Sequence, residues 1–291
     1  MTSEPCVITG DAARVETAVR GTGSPVLVLH GSPGGIDAAE VMSRFLPEDR
    51  FRSVLLSRPG YLGTPIDPEH ASIDDEADLL ASVLDGLGID RVGVLAWSGG
   101  GPAAFRLAVR HPDRVTAIVA ASAVSGRWVP SRTGPGEYLV AHTALGASLS
   151  GWAARHLPRA VVGGAVSGVS RLRGRRLKDH VEGVLDDADR RAFLLDMAAT
   201  GNSSGAHRAG WENDVRTFAA IGSLQLDRVT APVLVLHGDA DTEVDVSHST
   251  RAASEVPDAE LVLLPGGTHF ALWDHVDAAA VQARAVEHLA R

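Results

Sequence analysis

Short apolar runs alternate with longer amphipathic stretches along most of this chain. Val26–Leu29, Ser53–Leu56, Val92–Ala96, Val115–Ala120, Val233–Leu236 and Leu261–Leu264 are dominated by Val, Ile, Leu and Ala. Unbroken runs of this kind predict strands buried on both faces, the pattern of a parallel sheet. Between them the spacing predicts helices at Asp74–Leu87, Pro102–Arg110, Ser247–Val256 and Val276–Ala290. Ser72 or Asp74 supplies the N-cap of the first, Gly88 follows its end, and Pro112 and Pro257 stop the second and third. Such alternation implies right-handed crossovers and an α/β fold built on a doubly wound, mostly parallel sheet. Near the start, Val7–Thr9 and Arg14–Val19 flank Gly10-Asp11 and predict a hairpin at one sheet edge.

The alternation breaks between Val124 and Thr230. A loop carrying Gly126, Pro130, Gly134, Pro135 and Gly136 opens this stretch, and helix-like segments follow at Glu137–Arg155, Lys178–Ala199 and Gly205–Phe218. Helices set inside an α/β pattern predict a helical cap at 125–222, inserted between core segments 1–124 and 223–291. The Gly/Val/Ser-rich Val161–Ser170 is expected to be a flexible part of that cap.

Ala96-Trp97-Ser98-Gly99-Gly100-Gly101 lies between a strand and a helix. A serine there sits on a sharp turn, so its neighbours two positions away must be small, and the N–H groups of the following helix point at an oxyanion formed beside it. Two places are open to Trp97: lining a substrate pocket, or packing behind the turn. His30-Gly31-Ser32-Pro33-Gly34-Gly35 follows another strand. Pro33 has no N–H to offer, so Ser32 and Gly99 are the expected oxyanion donors, and His30 is expected to hold the loop by hydrogen bonds.

These motifs resemble those of the α/β-hydrolase superfamily, and they run in that family's order. They are His30-Gly31-Ser32-Pro33, the loop Ser57–Thr64, the serine turn, Arg110-His111-Pro112-Asp113-Arg114-Val115, an acid loop and a late histidine. Ser57 stands where the family often has aspartate. Family members resemble G-x-x-D-x-x-V after the acid-bearing strand, which selects Gly238, Asp241 and Val244. Asp239 and Asp245 are the competitors, read as turn and helix caps. His269, in Pro265-Gly266-Gly267-Thr268-His269, follows the last strand. The resemblance therefore implies a catalytic triad of Ser98 as nucleophile, His269 as base and Asp241 as the acid that orients the base. The other histidines, His237, His248, His275 and His288 among them, are read as surface or cap residues.

The implied activity is hydrolysis of a small carboxylic ester, lactone or amide through an acyl-enzyme. His-Gly-Ser-Pro-Gly-Gly is similar to the proline iminopeptidase-like branch, which implies an acidic cap residue holding an amino terminus; Glu137, Glu182, Glu212 and Asp214 are candidates. Non-hydrolytic chemistry on the same triad (cyclisation, elimination or acyl transfer in a biosynthetic pathway) and a catalytically idle receptor are the competing readings.

Composition narrows the partners. With 45% hydrophobic and 22% charged residues in 291, the chain is of ordinary globular type. A formal charge of −9 repels polyphosphate, which argues against nucleic acid or anionic membrane. Arg171, Arg173, Arg175, Arg176 and Lys178 form a basic run read as a solvated helix end. Cys6 is the only cysteine, so an intrachain disulfide is excluded. No apolar stretch reaches the roughly 18 residues of a membrane span, and no secretory signal pattern opens the chain. A cytoplasmic enzyme acting on a small molecule, with no cofactor and no metal, is the expectation; the sequence does not fix an oligomeric state.

Overall fold

Every apolar run becomes a strand in a computed structural model, which describes residues 6–9, 14–130, 143 and 152–291. The strands are β1 (Cys6–Thr9), β2 (Arg14–Arg20), β3 (Ser24–Leu29), β4 (Phe51–Leu56), β5 (Val92–Trp97), β6 (Val115–Ala121), β7 (Val233–Gly238) and β8 (Ala259–Leu264). They form one eight-stranded sheet in the order β1-β2-β4-β3-β5-β6-β7-β8. The hairpin β1–β2 and the β2–β4 pair are antiparallel. All pairs from β4 through β8 are parallel.

Alternate residues of the central strands feed two cores, one on each face of the sheet. Leu27, Leu29, Val92, Val94, Val233 and Val235 pack on one face, and Val26, Val28, Leu95, Leu234 and Leu236 on the other. Helices α2 (Ile73–Gly86), α3 (Gly101–Arg110) and α8 (Ser247–Glu255) cover the first face. Helices α1 (Ile36–Ser43) and α9 (Ala278–Leu289) cover the second. Ser72 caps α2 through a reciprocal capping box with Asp75. The apolar pattern had marked no helix at α1, which has only eight residues and no side-chain cap. One strand departs from expectation: β8 is a sheet edge, and of its residues only Leu264 is buried, while Glu260 and Leu263 are exposed and the others half-buried.

Between β6 and β7 the described residues carry helices α4 (Pro158–Gly168), α5 (Gly174–Asp186), α6 (Ala188–Thr200) and α7 (Arg208–Ala219), and no strand. The segment expected to be flexible, Val161–Ser170, is largely helix α4. The single helix expected at Lys178–Ala199 is two, because the Asp187 carboxylate accepts from the N–H groups of Asp189 and Arg190 and starts a new helix. The expected helix Glu137–Arg155 lies almost wholly outside the described residues. The basic run opens α5 instead of ending a helix, and its arginines and lysine are exposed as expected. Helix α6 buries Phe193, Leu194 and Met197 in the second core, with Phe193 stacked on Trp273 at 4.9 Å. The insertion thus shares a core with the sheet.

Parallel strands bring their carboxyl ends to one edge. The chain turns outward from β3 to β4 and then crosses back to β5, so the loops after β3 and β5 flank the point where strand order reverses. Open α/β sheets bind ligands at such a point. Among the described residues no helix is long and apolar enough to cross a membrane.

Candidate active site

Ser98 follows β5 on a 3-10 turn, Ser98–Gly100, that leads into α3. Its φ is +52°, a left-handed conformation that costs a non-glycine residue about 1–3 kcal/mol and persists only where the surroundings enforce it. Close packing enforces it here. A Cβ on Gly31 would lie 3.1 Å from Ser98 Cβ and 2.8 Å from the Trp97 ring, and a Cβ on Gly99 would overlap the Ser32 side chain. The backbone N–H of Val124, after β6, holds the Ser98 carbonyl at 2.9 Å.

The three residues expected to form a triad come together. The Ser98 hydroxyl lies 2.9 Å from His269 Nε2, and His269 Nδ1 lies 2.7 Å from Asp241 Oδ2. Because a carboxylate only accepts, Nδ1 carries the proton and Nε2 is left to receive one from Ser98. Asp241 follows β7 and is 2% exposed; its Oδ1 accepts from the N–H groups of Glu243 and Val244 at 2.8 and 3.1 Å. The competitors do what their positions suggested. Asp239 accepts from Gly266 N–H at 2.6 Å, tying the acid loop to the histidine loop, and Asp245 accepts from Ser247 N–H at the start of α8.

Burial opposes charge on His269, yet the adjacent Asp241 carboxylate and the hydrogen bond between them outweigh it, and the imidazole pKa stands above its ordinary value. Burial likewise opposes ionisation of Asp241, but the His269 charge and hydrogen bond hold its pKa below the usual carboxylate range. Both shifts favour the ion pair that a proton taken from Ser98 would create.

Trp97, for which a place in the pocket lining was open, packs behind the turn. It is 6% exposed, its indole N–H donates to the His269 carbonyl at 3.1 Å, and its ring lies against Phe270 and Trp273. His30 has the structural role expected of it: Nδ1–H donates to the Gly31 carbonyl at 2.7 Å and Nε2 accepts from Arg58 N–H at 3.0 Å. Ser57 lacks the carboxylate the family often has there, and Glu16 on β2 supplies one. Its Oε2 accepts from the Ser57 hydroxyl at 2.6 Å and from Gly63 N–H at 3.1 Å.

Four histidines read as surface or cap residues are buried. His237 is fully enclosed; its Nε2–H donates to the Val244 carbonyl at 3.0 Å and faces Asp241 Oδ2 at 3.4 Å, while Nδ1 meets the Ser249 hydroxyl. Burial lowers its pKa, so it stays neutral. His248, His275 and His288 brace loops through Ser125, Pro265 and Pro232. Placing such residues needs tertiary contacts, because each sits in a run whose pattern shows no histidine-specific signal.

A second polar cluster joins the Ser57–Thr64 loop to α2 and α7. Arg58, 1% exposed, reaches Glu76 on α2 through Nε at 2.7 Å and Asp214 on α7 through Nη1 and Nη2, both at 3.0 Å. The Tyr61 hydroxyl donates to Asp214 Oδ2 at 2.7 Å, and the Ser32 hydroxyl donates to the same oxygen. Burial alone would discharge Arg58, but Asp214 and Glu76 hold its pKa well above the ordinary value. One signal for Asp214 was present: it shares the buried face of α7 with Gly210 and Phe218, at steps of four. The insertion also touches the acid loop, where Arg171 N–H donates to the Ala240 carbonyl at 2.7 Å and Ser170 bridges to Asp241. It reaches the histidine loop through His180 and the buried Asp274, 3.1 Å apart, with Thr268 donating to that carboxylate.

The sheet topology agrees with comparisons to known proteins. A family model described as alpha/beta hydrolase fold matches residues 24–155. The solved structure of an alpha/beta hydrolase fold protein from Nakamurella multipartita is 41% identical, covers 99% of each chain and superposes with a TM-score of 0.96. The uncharacterized hydrolase YcgS of Bacillus subtilis is 28% identical over 274 residues, 91% of either chain. A 2-hydroxy-6-oxononadienedioate/2-hydroxy-6-oxononatrienedioate hydrolase of Cupriavidus pinatubonensis is 27% identical, over 87% of this chain and 83% of that one. The chain belongs to the α/β-hydrolase fold family of enzymes.

Proposed function

We propose that this protein is a serine hydrolase that cleaves a small carboxylic ester or lactone through an acyl-enzyme on Ser98. The observation that carries the reading is the unbroken hydrogen-bonded line Ser98–His269–Asp241, with the serine on a strained turn at the carboxyl edge of the sheet. In this reading His269 Nε2 takes the Ser98 proton as Oγ attacks the substrate carbonyl, and Asp241 stabilises the imidazolium. The N–H groups of Ser32 and Gly99 hold the oxyanion. His269 then returns the proton to the leaving oxygen, and a water activated by the same imidazole releases the acid. The helical insertion at 125–222 acts as a cap over this edge.

Two observations favour an ester or lactone over a peptide with a free amino terminus. Asp214 has its carboxylate filled by Arg58, Tyr61 and Ser32, and Glu182 is half-buried and paired with Arg159. Glu212 is exposed on α7, and Glu137 lies outside the described residues. The name of the Cupriavidus relative supports a second substrate class, an oxo dicarboxylic acid, hydrolysed with the same three residues. Incubation with p-nitrophenyl esters, lactones and such oxo acids, followed by mass spectrometry of the intact protein, tests the proposal. An acyl adduct on Ser98 that is lost in Ser98→Ala is expected; turnover that survives Ser98→Ala would refute it.

A further inference from the structure

We infer that Asp214, on the inserted helix α7, is a positioning residue for the oxyanion loop, so that docking of the insertion and stabilisation of the oxyanion are one event. The inference rests on the acyl-enzyme reading, in which the backbone N–H of Ser32 is one of the two oxyanion donors.

The Ser32 side chain is specified from both sides. Its hydroxyl proton goes to Asp214 Oδ2, and its oxygen accepts from Arg58 Nη1 at 3.3 Å. Its Oγ fills the space where a Gly99 side chain would stand, so the residue carrying one donor is wedged against the residue carrying the other. Asp214 is fixed in turn. Both its oxygens take a guanidinium N–H of Arg58, which Glu76 anchors to α2, and Tyr61 donates a third hydrogen bond. Burial and the neighbouring Asp214 push the Tyr61 pKa well up, which keeps that donor protonated.

Backbone bonds close the connection. Gly210 N–H donates to the Gly60 carbonyl and Leu62 N–H to the Ala206 carbonyl, both at 2.9 Å, fastening the start of α7 to the Arg58–Thr64 loop. A hydroxyl held in this way leaves the Ser32 peptide little freedom to turn. Preorganised donors are effective because they need no reorganisation when charge develops. Lifting α7 removes the acceptor and frees the loop.

Ser32→Ala is the informative variant, because it keeps the backbone N–H and removes the hydroxyl through which Asp214 and Arg58 hold the residue against Gly99. The probe is a fluorophosphonate: Ser98 Oγ attacks phosphorus, fluoride leaves, His269 takes the serine proton, and the phosphoryl oxygen occupies the oxyanion site. Labelling of Ser32→Ala is expected to slow by about tenfold or more, part of the 10²–10³ lost with a whole donor. For a short ester, kcat is expected to fall by the same factor with KM unchanged, and melting to show both proteins folded. Asp214→Asn, where it folds, is expected to match. Labelling of Ser32→Ala at the unaltered rate, or a change confined to KM, would overturn the inference alone. If the unaltered protein itself resists labelling, the acyl-enzyme reading falls and takes this inference with it.

Discussion

Two aspartates, Asp241 and Asp214, are each 2% exposed and each saturated with hydrogen-bond donors, yet their surroundings differ in one respect. Asp241 faces imidazoles and backbone N–H groups, and its nearest partner, His269, is an imidazole, a group that can take up and release a proton. Asp214 faces a guanidinium that keeps its charge at any working pH, together with two hydroxyls. The first arrangement suits proton transfer. The second suits fixed geometry, because the Arg58 guanidinium holds its proton and burial beside Asp214 keeps the Tyr61 hydroxyl protonated. A buried carboxylate is thus a candidate for acid–base chemistry according to what it is paired with, and burial alone does not distinguish the two.

Mutations that separate proton transfer from geometry test this contrast. Ser98→Ala has the largest expected effect, a loss of about 10⁶-fold in kcat with an unchanged melting temperature, measured by steady-state kinetics and calorimetry. Asp241→Asn is expected to cost about 10⁴-fold in kcat, because His269 loses the partner that fixes its tautomer.

The pH profile then gives the sign. His269 acts as a base only when neutral, so kcat/KM rises as pH climbs through its pKa. Asp241 raises that pKa against the effect of burial, and the acid limb is expected above the ordinary imidazole value. Removing the carboxylate charge moves the limb to lower pH; a limb that stays in place would show that the two groups are not coupled.

At the other aspartate a loss of stability is expected beside the loss in kcat. Asp214→Ala leaves Arg58 without one of its two counter-charges and is expected to cost about 3–5 kcal/mol in urea unfolding, while the acid limb of whatever activity remains stays where it was. Tyr61→Phe removes one hydrogen bond to the same carboxylate and is expected to cost about 1.5–3 kcal/mol, again with the limb unmoved. A shift of the limb in either variant would erase the distinction between the two sites.

Patterning alone determined the six parallel strands, the helices Asp74–Leu87 and Pro102–Arg110, the edge hairpin and the insertion, because each is written in local hydrophobic period and in Gly or Pro punctuation. The meeting of Ser98, Asp241 and His269 was also legible, since three loops that follow parallel strands must emerge at one edge of the sheet. Helix α1, the helical state of Val161–Ser170 and the partial exposure of β8 were decided by tertiary contacts. A short helix without a side-chain cap takes its stability from packing, and an edge strand differs from a central one only by its neighbours. The same holds for the side of Trp97 that meets protein, for His237 beside the acid, and for the junction of Ser32, Arg58 and Asp214. Residues 32 and 214 are 182 positions apart. No local period records that separation, and only the folded chain brings the hydroxyl and the carboxylate within a hydrogen bond.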